Sequence, residues 1–524
     1  MSSLGSIYLG VSGLNSSQNA LNTTAHNLAN VDTKGYARQQ VLLRDFGYVN
    51  WGENHISTFQ KGLGVDFQTV RQVRDVFLDK AYRQETGREA FYDAGYQAVT
   101  EVEDLFGELE GVAFQDTIHD LWGSLQELAK EPNNSETRAS FVQSAVTFVE
   151  RAQNISYQIK DYQVNLNIQI KDTVNRINSI GDEIKDLNYK IRAYESNDVE
   201  NANDLRDQRN VLLDELGKLA SITYQEDHNG VVTVNVEGVS FVSEDMVSHM
   251  DVKKAGPGTD MLVPVWPSHK NAEVFNFDRI PSSEANTDIG SLKGLLLVRG
   301  DKEANYLDIP VRKSPEGEDE AADAEYEAKV KEYNLRIESS AIMNIQAQFD
   351  QLIHGIATTI NDILCPNAKL ADGTVVLDKD KAPVCIDGET RGIELFKRKS
   401  MDRYSISGDE YVFHAEDESN VHSLYTIGEI EINPLILQDY ANLNLSSNDG
   451  TEDYDKDVIE QLLSKWQEPF ATLSPNTLTY YNFSDYYNAF ISDIANRGEK
   501  YYSISTNQAT MVANIDNKRM EISA

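Results

Sequence analysis

Cysteine is almost absent: Cys365 and Cys385 are the two thiols in 524 residues. Without C-x-x-C spacing they form neither a disulfide framework nor a zinc or redox motif, and one loop-closing bridge is the most they offer. No run of 18 apolar residues occurs, so no membrane span is expected. The first lysine or arginine is Lys34, and the basic start of a secretory signal is missing. On the residues alone this points to the cytoplasm. Basic residues are scarce, 47 Lys+Arg against 84 Asp+Glu, for a formal charge of −37. Such a surface repels nucleic acid and anionic membrane, and neither is expected as a partner.

Catalytic signatures are absent too. The sequence holds no G-x-x-x-x-G-K-[ST], no G-x-G-x-x-G after a strand and no H-E-x-x-H. His414 and His422 flank Glu416-Asp417-Glu418, at a spacing that fits no metal site. A calcium loop counted from Asp453 has Val458 at its sixth position and Ser464 at its twelfth, where glycine and glutamate are needed. Both stretches read as solvated acidic loops. No catalytic residue, cofactor or metal is expected.

What the chain does have is periodicity. Leu4, Ile7, Val11, Leu14, Gln18, Leu21, Ala25 and Leu28 follow one another in strictly alternating steps of three and four. All but Gln18 are apolar, on a helix otherwise made of Ser, Asn, Thr and Gln. This is a coiled-coil seam, narrower than the apolar stripe of a globular core helix, so it requires a partner strip. The helix stops at the turn-rich phrase Asn27-Leu-Ala-Asn30-Val-Asp-Thr33-Lys-Gly35-Tyr36-Ala-Arg38-Gln39.

A heptad helix running into N-x-x-N-x-x-T-x-G-Y resembles the rod, hook and hook-associated proteins of the bacterial flagellum. The ending Gly35-Tyr36-Ala37-Arg38-Gln39 looks most like the branch that forms the hook–filament junction. Further on, Leu128-Ala129-x-x-Pro132 with Arg138 is typical of that branch. So is Asn203-Asp204-Leu205-x-Asp207-Gln208-Arg209, the second most specific phrase in the chain. The resemblance covers roughly residues 1–222, 290–365 and 458–524.

Between these phrases the pattern alternates between helix and strand. Residues 40–70 read as an extended connector, with Val65 and Phe67 alternating after Gly62-Leu-Gly64. Arg74 to Leu109 is helical, with Phe91, Ala98, Val102, Leu105 and Leu109 on one face, and a shorter helix carries Ile118 to Leu128. After Pro132, steps of three or four run unbroken from Phe141 to Tyr194, a rod of about 80 Å at ~1.5 Å per residue. Period two then takes over: Ile222 and Tyr224 face Val232, Val234 and Val236 across Asn229-Gly230, a hairpin signal. Residues 222–300 read as strand-like throughout, ending at Gly290-Ser-Leu-Lys-Gly294-Leu, which looks like the family's exit from that domain. Pro315 to Asp323 is acidic and expected to be mobile.

Ile342 to Ile363 form another seam able to pair with the long rod. Paired Asp/Gly turns mark 367–432 as a second β-rich stretch, and helix resumes near Val458 and after Ser484. The predicted fold is mainly α with β insertions: a long antiparallel helical bundle or coiled-coil shaft carrying two outward β-rich domains. Its parts are residues 1–45 (axial helix and turn), 46–221 with 326–364 and 458–524 (shaft), 222–325 (first β domain) and 365–457 (second).

The resemblance implies a structural role as an exported subunit that builds a ring on the hook tip. Its partners would be further copies of itself, hook protein, a second junction protein, flagellin, the flagellar export apparatus and a dedicated export chaperone. It implies assembly through the seam Leu4, Ile7, Val11, Leu14, Leu21, Ala25 and Leu28. The turn Asn27, Asn30, Thr33, Gly35, Tyr36, Arg38 and Gln39 would set the helix on its connector, although an ordinary turn with a packing aromatic makes the same contacts. Alternatives are another hook or distal-rod protein, or β insertions acting as an adhesin. The family's C-terminal heptad helix has no counterpart before Ile522-Ser-Ala524. The N-terminal helix, lacking that partner, is expected to be disordered or to pair between chains.

Overall fold

In the computed structural model, residues 2–33, 35–54, 57–107, 113–196, 201–312, 319–447 and 454–523 are described. The side chains of residues 2–6 and 50–60 lie outside that description, as do Leu109, Pro315 and the acidic stretch 449–453.

Helix α1 (Ser2–Ala29) leads into strands β1 (Gln39–Asp45), β2 (Tyr48–Asn54), β3 (Ser57–Gly62) and β4 (Val65–Gln72). β1 and β4 pair antiparallel from Gln39↔Gln72 to Asp45↔Val65, with a bulge at Leu42/Leu43, and β2–β3 extend from them as a ribbon. Asp75 caps α2 (Val76–Phe106) by accepting from the backbone N–H groups of Phe77 and Leu78. α3 (Phe114–Lys130) follows, then α4 (Ser135–Glu195), capped by Asn134. At 61 residues α4 runs about 90 Å, taking ~1.5 Å per residue. α5 (Asn203–Leu219) turns back along it.

The hairpin expected across Asn229-Gly230 is present. β5 (Ile222–Glu226) pairs with β6 (Val232–Val236), which pairs with β7 (Val239–Val242). A second small sheet holds β8 (Asp251–Lys254), β9 (Leu262–Trp266) and β10 (Ala272–Glu273). Residues 291–299 depart from the strand-like reading: they form α6 (Ser291–Arg299), whose Leu292 and Leu296 are buried with β6 and α5. Glycine decides this crossing, because a Cβ at Gly294 would sit 2.7 Å from the Phe91 carbonyl oxygen of α2.

α7 (Glu320–Glu332) passes through a π turn into α8 (Ala341–Leu364). α8 differs from the expected one-sided seam, being buried nearly all round, with Asn344, Gln348 and Asp350 inside along with its isoleucines. The remaining strands are β11 (Asn367–Lys369), β12 (Val375–Leu377), β13 (Phe396–Arg398), β14 (Tyr404–Ser407), β15 (Glu410–Phe413) and β16 (Ile430–Ile432). They make a sheet in the order β11-β12-β15-β14 and a separate β13–β16 pair. Helices α9 (Pro434–Gln438), α10 (Lys456–Gln467) and the 41-residue α11 (Phe483–Ser523) complete the chain, with α11 lying along α2.

Two apolar cores are strung on α4. Its first half, Phe141 to Leu166, packs with α2, α3, α8, α10, α11 and with Phe396, Tyr425 and Ile430 of the second β-rich stretch. Its second half, Ile170 to Leu187, packs with α5, α6 and the first β sheets. Each β-rich stretch thus shares a core with the shaft. Tyr194, the last member of the predicted stripe, is exposed, and Phe106 rather than Leu105 fills the core at the end of α2. Cys365 and Cys385 are free and buried, so no bridge forms; Asn444 lies between them, 3.2 Å from the Cys385 sulfur and 3.8 Å from that of Cys365.

Candidate assembly site

α1 is a continuous helix, not a disordered arm, and what matters is which way it faces. Gly13, Ser16, Ala20, Thr23 and Asn27 recur every three or four residues on its inner side and, with Ser12, are covered, Ser16 being buried. They are small, so the helix approaches the β1–β4 ladder closely; a Cβ at Gly64 would collide with the Ser12 hydroxyl. The apolar seam points the other way. Ile7, Val11 and Ala25 are exposed, and Leu14, Leu21 and Leu28 keep 69%, 70% and 75% of their surface in solvent. The Leu4 side chain lies outside the described residues. Among the described residues nothing apolar lies over this stripe.

The two motif phrases, 170 residues apart in sequence, meet at the foot of this helix. Asn27 is the pin: its Oδ1 accepts from the Tyr36 hydroxyl (2.7 Å) and from the Gln39 backbone N–H (2.9 Å), and its Nδ2 donates to the Gln39 carbonyl (2.9 Å). Asn30 caps the helix end through Thr33, whose N–H donates to the Asn30 carbonyl at 2.9 Å. Gly35 adopts φ 82°, a left-handed conformation, and presses its bare Cα face onto Val211 of α5. The Ala37 N–H donates to Asp207 Oδ2 (3.3 Å), and the Gln39 amide reaches Asp204 (3.5 Å). From the other side, Asn203 Nδ2 donates to the Val70 carbonyl and its own carbonyl accepts from Gln72. Arg38 is exposed, while its N–H donates to the carbonyl of Ser523 at the end of α11 (3.2 Å).

Charge locks the joint. Asp207, Arg74, Asp79, Arg519, Asp214 and Arg83 form one alternating chain, linked by contacts of 3.3, 3.1, 2.9, 2.8 and 2.6 Å. It runs from α5 through the connector and α2 to α11 and back. Burial pushes the Asp207 carboxyl up to about 6, against the pull of the Ala37 N–H and Arg74. Asp79 is buried as well, but Arg74, Arg519 and Arg83 hold it below the ordinary carboxylate range. Arg209, fully buried, donates to Asn188 Oδ1 (2.9 Å), the Gly230 carbonyl (2.5 Å) and Glu226 (3.0 Å), so it ties α5 to α4 and to the β5–β6 hairpin. Leu205 packs at the edge of the second core. Gln208 lines a cleft of about 600 Å³ between the turn, α4 and α5, together with His26, Tyr36, Leu187, Val211 and Leu212.

Sequence reasoning found the two phrases but missed Arg74, Asp79, Asn188, Asp214 and Arg519. Asn188 was within reach: Ile184, Leu187 and Ile191 put position 188 on the buried face, where an asparagine has to hold something. His414 and His422 are not drawn together onto the acidic run. Glu416 instead accepts from His354, and His422 faces Glu429. Among the described residues no cluster of His, Cys, Asp and Glu fit for a metal occurs, and no helix is long and apolar enough to cross a membrane.

The family model for the flagellar hook-associated protein FlgK helical domain matches residues 99–375, and that for flagella basal body rod proteins matches residues 7–36. Flagellar hook-associated protein 1 of Bacillus subtilis is 31% identical over 41% of this chain and 43% of its own length. That of Salmonella typhimurium is 26% identical over 55% of this chain and 50% of its own. These matches thus span half or less of those relatives. The Escherichia coli protein of the same name is 23% identical over 98% of this chain and 91% of its own. In fold, the flagellar hook junction protein FlgK from Burkholderia pseudomallei superposes with a TM-score of 0.56 at 13% identity, covering 84% of this chain and 99% of that one.

Proposed function

We propose, from the premise that this chain belongs to the family of flagellar hook-associated proteins, whose helical-domain model matches residues 99–375, that it is a structural subunit joining the hook of the flagellum to the filament. Copies of it assemble into a ring at the hook tip. The observation that carries this reading is the direction of α1, held to its own chain by small residues with its apolar seam turned out. Burying one such leucine or isoleucine contributes about 1.5–3 kcal/mol, so the exposed seam supplies enough to hold an assembly. Head-to-tail contacts between copies build rings or helical arrays.

In this reading the ring sits on hook protein below and carries a second junction protein and flagellin above. The subunit leaves the cell through the flagellar export apparatus, escorted by a dedicated chaperone and without a cleaved signal, and works outside the cell. The β-rich stretches face away from the axis.

The test is a strain lacking this protein, examined on swimming plates and by electron microscopy. Cells that build hooks yet shed flagellin into the medium support the role; cells with intact filaments overturn it. A Leu14→Asp, Leu21→Asp variant is expected to fold, be exported and fail to restore swimming. Full restoration would show that the seam is not the assembly surface.

A further inference from the structure

The cleft at the joint has an apolar floor and an acidic rim. Tyr36, Leu187, Val211 and Leu212 form the floor, and Glu183, Asp186, Asp204 and Asp207 stand around it, with Lys190 and His26 as the basic groups on the same lining. Two of the acids are already neutralised, Glu183 by Arg176 and Asp207 by Arg74. Asp186 makes no side-chain ion pair or hydrogen bond among the described residues. Among the described residues Asp204 meets His26 at 3.7 Å and the Gln39 amide at 3.5 Å. Against Asp186 and Asp204 the lining sets Lys190, itself without an ion pair among the described residues, so with histidine neutral the cleft keeps a net negative charge.

Arg38 stands apart from the arginines that cross the joint. Arg74, Arg83, Arg206, Arg209 and Arg519 each sit on a carboxylate of their own chain. Arg38 does not: it is exposed, its backbone is fixed by Ser523 and Val73, and no carboxylate lies within ion-pair distance of its guanidinium among the described residues. In a chain with 84 acids and 47 bases, an arginine left bare at the most heavily cross-linked turn is a positioned charge.

We propose that a second copy of this chain docks its Arg38-bearing turn over this cleft, the guanidinium on Asp186 and Asp204 and the neighbouring turn against the apolar floor. The choice of occupant follows from charge complementarity and from continuity, since His26 of α1 and Asn30 just beyond its end form one wall of the cleft and lie close in sequence to Ala25 and Leu28 of the exposed seam. Each copy gives one arginine and receives another, so the contact can repeat from copy to copy. Exposed ion pairs add little affinity, so the contact sets register while the seam supplies the adhesion. This inference rests on the assembly reading above.

Self-association of the purified full chain, read by sedimentation velocity, tests it. Arg38→Glu and Asp186→Arg each touch an exposed side chain outside the charge chain of the joint, and circular dichroism checks that each variant folds. Each alone sets like charges face to face and is expected to associate about tenfold more weakly than the parent. An equimolar mixture is expected to recover. When the two variants alternate, the introduced glutamate meets the introduced arginine at one interface, and the native Arg38 meets the native Asp186 at the next. Equal association of Arg38→Glu and parent, or a mixture as weak as its components, would overturn the inference. Leu21→Asp separates the two claims. If it abolishes association while the charge variants change nothing, the seam reading stands and the Arg38 contact falls; if the parent itself does not associate, both fall.

Discussion

Replacing Gly35 by alanine isolates the geometry of the joint. At φ 82° an L-residue with a side chain pays roughly 1–2 kcal/mol of backbone strain. The new Cβ also falls deep inside contact distance of Val211 Cγ2, and such overpacking costs about 1–3 kcal/mol. The sum, about 2–5 kcal/mol, bears on the docking of the turn and not on the two cores, whose nearest buried residues lie on α4 and α5. Local opening is therefore the expected response, with little change in global melting. At ~1.4 kcal/mol per tenfold, amide exchange at Ala37 and Gln39 should speed up by roughly 30-fold or more. Both amides are held in the native joint, by Asp207 and Asn27 respectively. Adding Val211→Ala removes the clash and leaves the backbone strain, so protection should return only in part. Hydrogen exchange read by mass spectrometry on peptides spanning 35–42 decides the matter. Native protection in Gly35→Ala would refute the account, and full rescue by Val211→Ala would refute the share assigned to backbone strain.

Three further outcomes are expected. Arg74→Met leaves the buried carboxylates of Asp79 and Asp207 without their shared cation, a loss of about 3–5 kcal/mol at the joint, to be read by chemical denaturation against Arg74→Lys, which should lose less. Burial raises Glu394 to about 7 and Asp350 to about 6, so between the ordinary carboxylate range and those values the folded chain binds more protons than the unfolded one. Stability then falls as pH rises from about 4 to about 7 and levels off above that; Glu394→Gln should flatten that fall in thermal melts, and an unchanged slope would remove Glu394 as its source. Burial also pushes both thiols up, so Cys365 and Cys385 should resist an aqueous thiol reagent in the folded protein and react only on unfolding.

The helical frame was legible because periodicity survives packing: the run from Phe141 to Ile191 is the buried stripe of α4, and Ile222 to Val236 is the hairpin. The two motif phrases were legible as positions but not as neighbours. Nothing local in Asn27 or Asp207 says that the two flank the same turn. Residues 291–299 were misread because Gly290 and Gly294 look like strand punctuation, whereas their role is to let α6 press against α2, which depends on the partner's backbone. The charge chain stayed hidden for a similar reason, since Arg74, Asp79, Asp214 and Arg519 come from three separated stretches and look like any charged residues of a solvated helix. Long-range polar pairing has no period to read.

The two faces of α1 explain why a helix with so obvious a seam does not bury it at home. Serine, glycine, alanine and threonine on the inner face let the helix sit close to the β1–β4 ladder, and Asn27 fixes its end with three hydrogen bonds. Rotating the helix to cover the seam on the same ladder would force leucines into a gap sized for Ser12 and Ser16 and would break the Asn27 pin. The orientation is therefore set by shape and hydrogen bonding, with the hydrophobic effect left unused within the chain. A seam held out in this way is the surface that the proposed assembly would use. The joint at the foot of the helix, crossed by six alternating charges, ties the connector to α5, α2 and α11. Loosening the joint should therefore weaken assembly even with every seam residue intact, so Gly35→Ala, remote from the seam side chains, is expected to impair swimming as Leu21→Asp does. If Gly35→Ala opens the turn in hydrogen exchange yet swims normally, the joint is not what orients the helix.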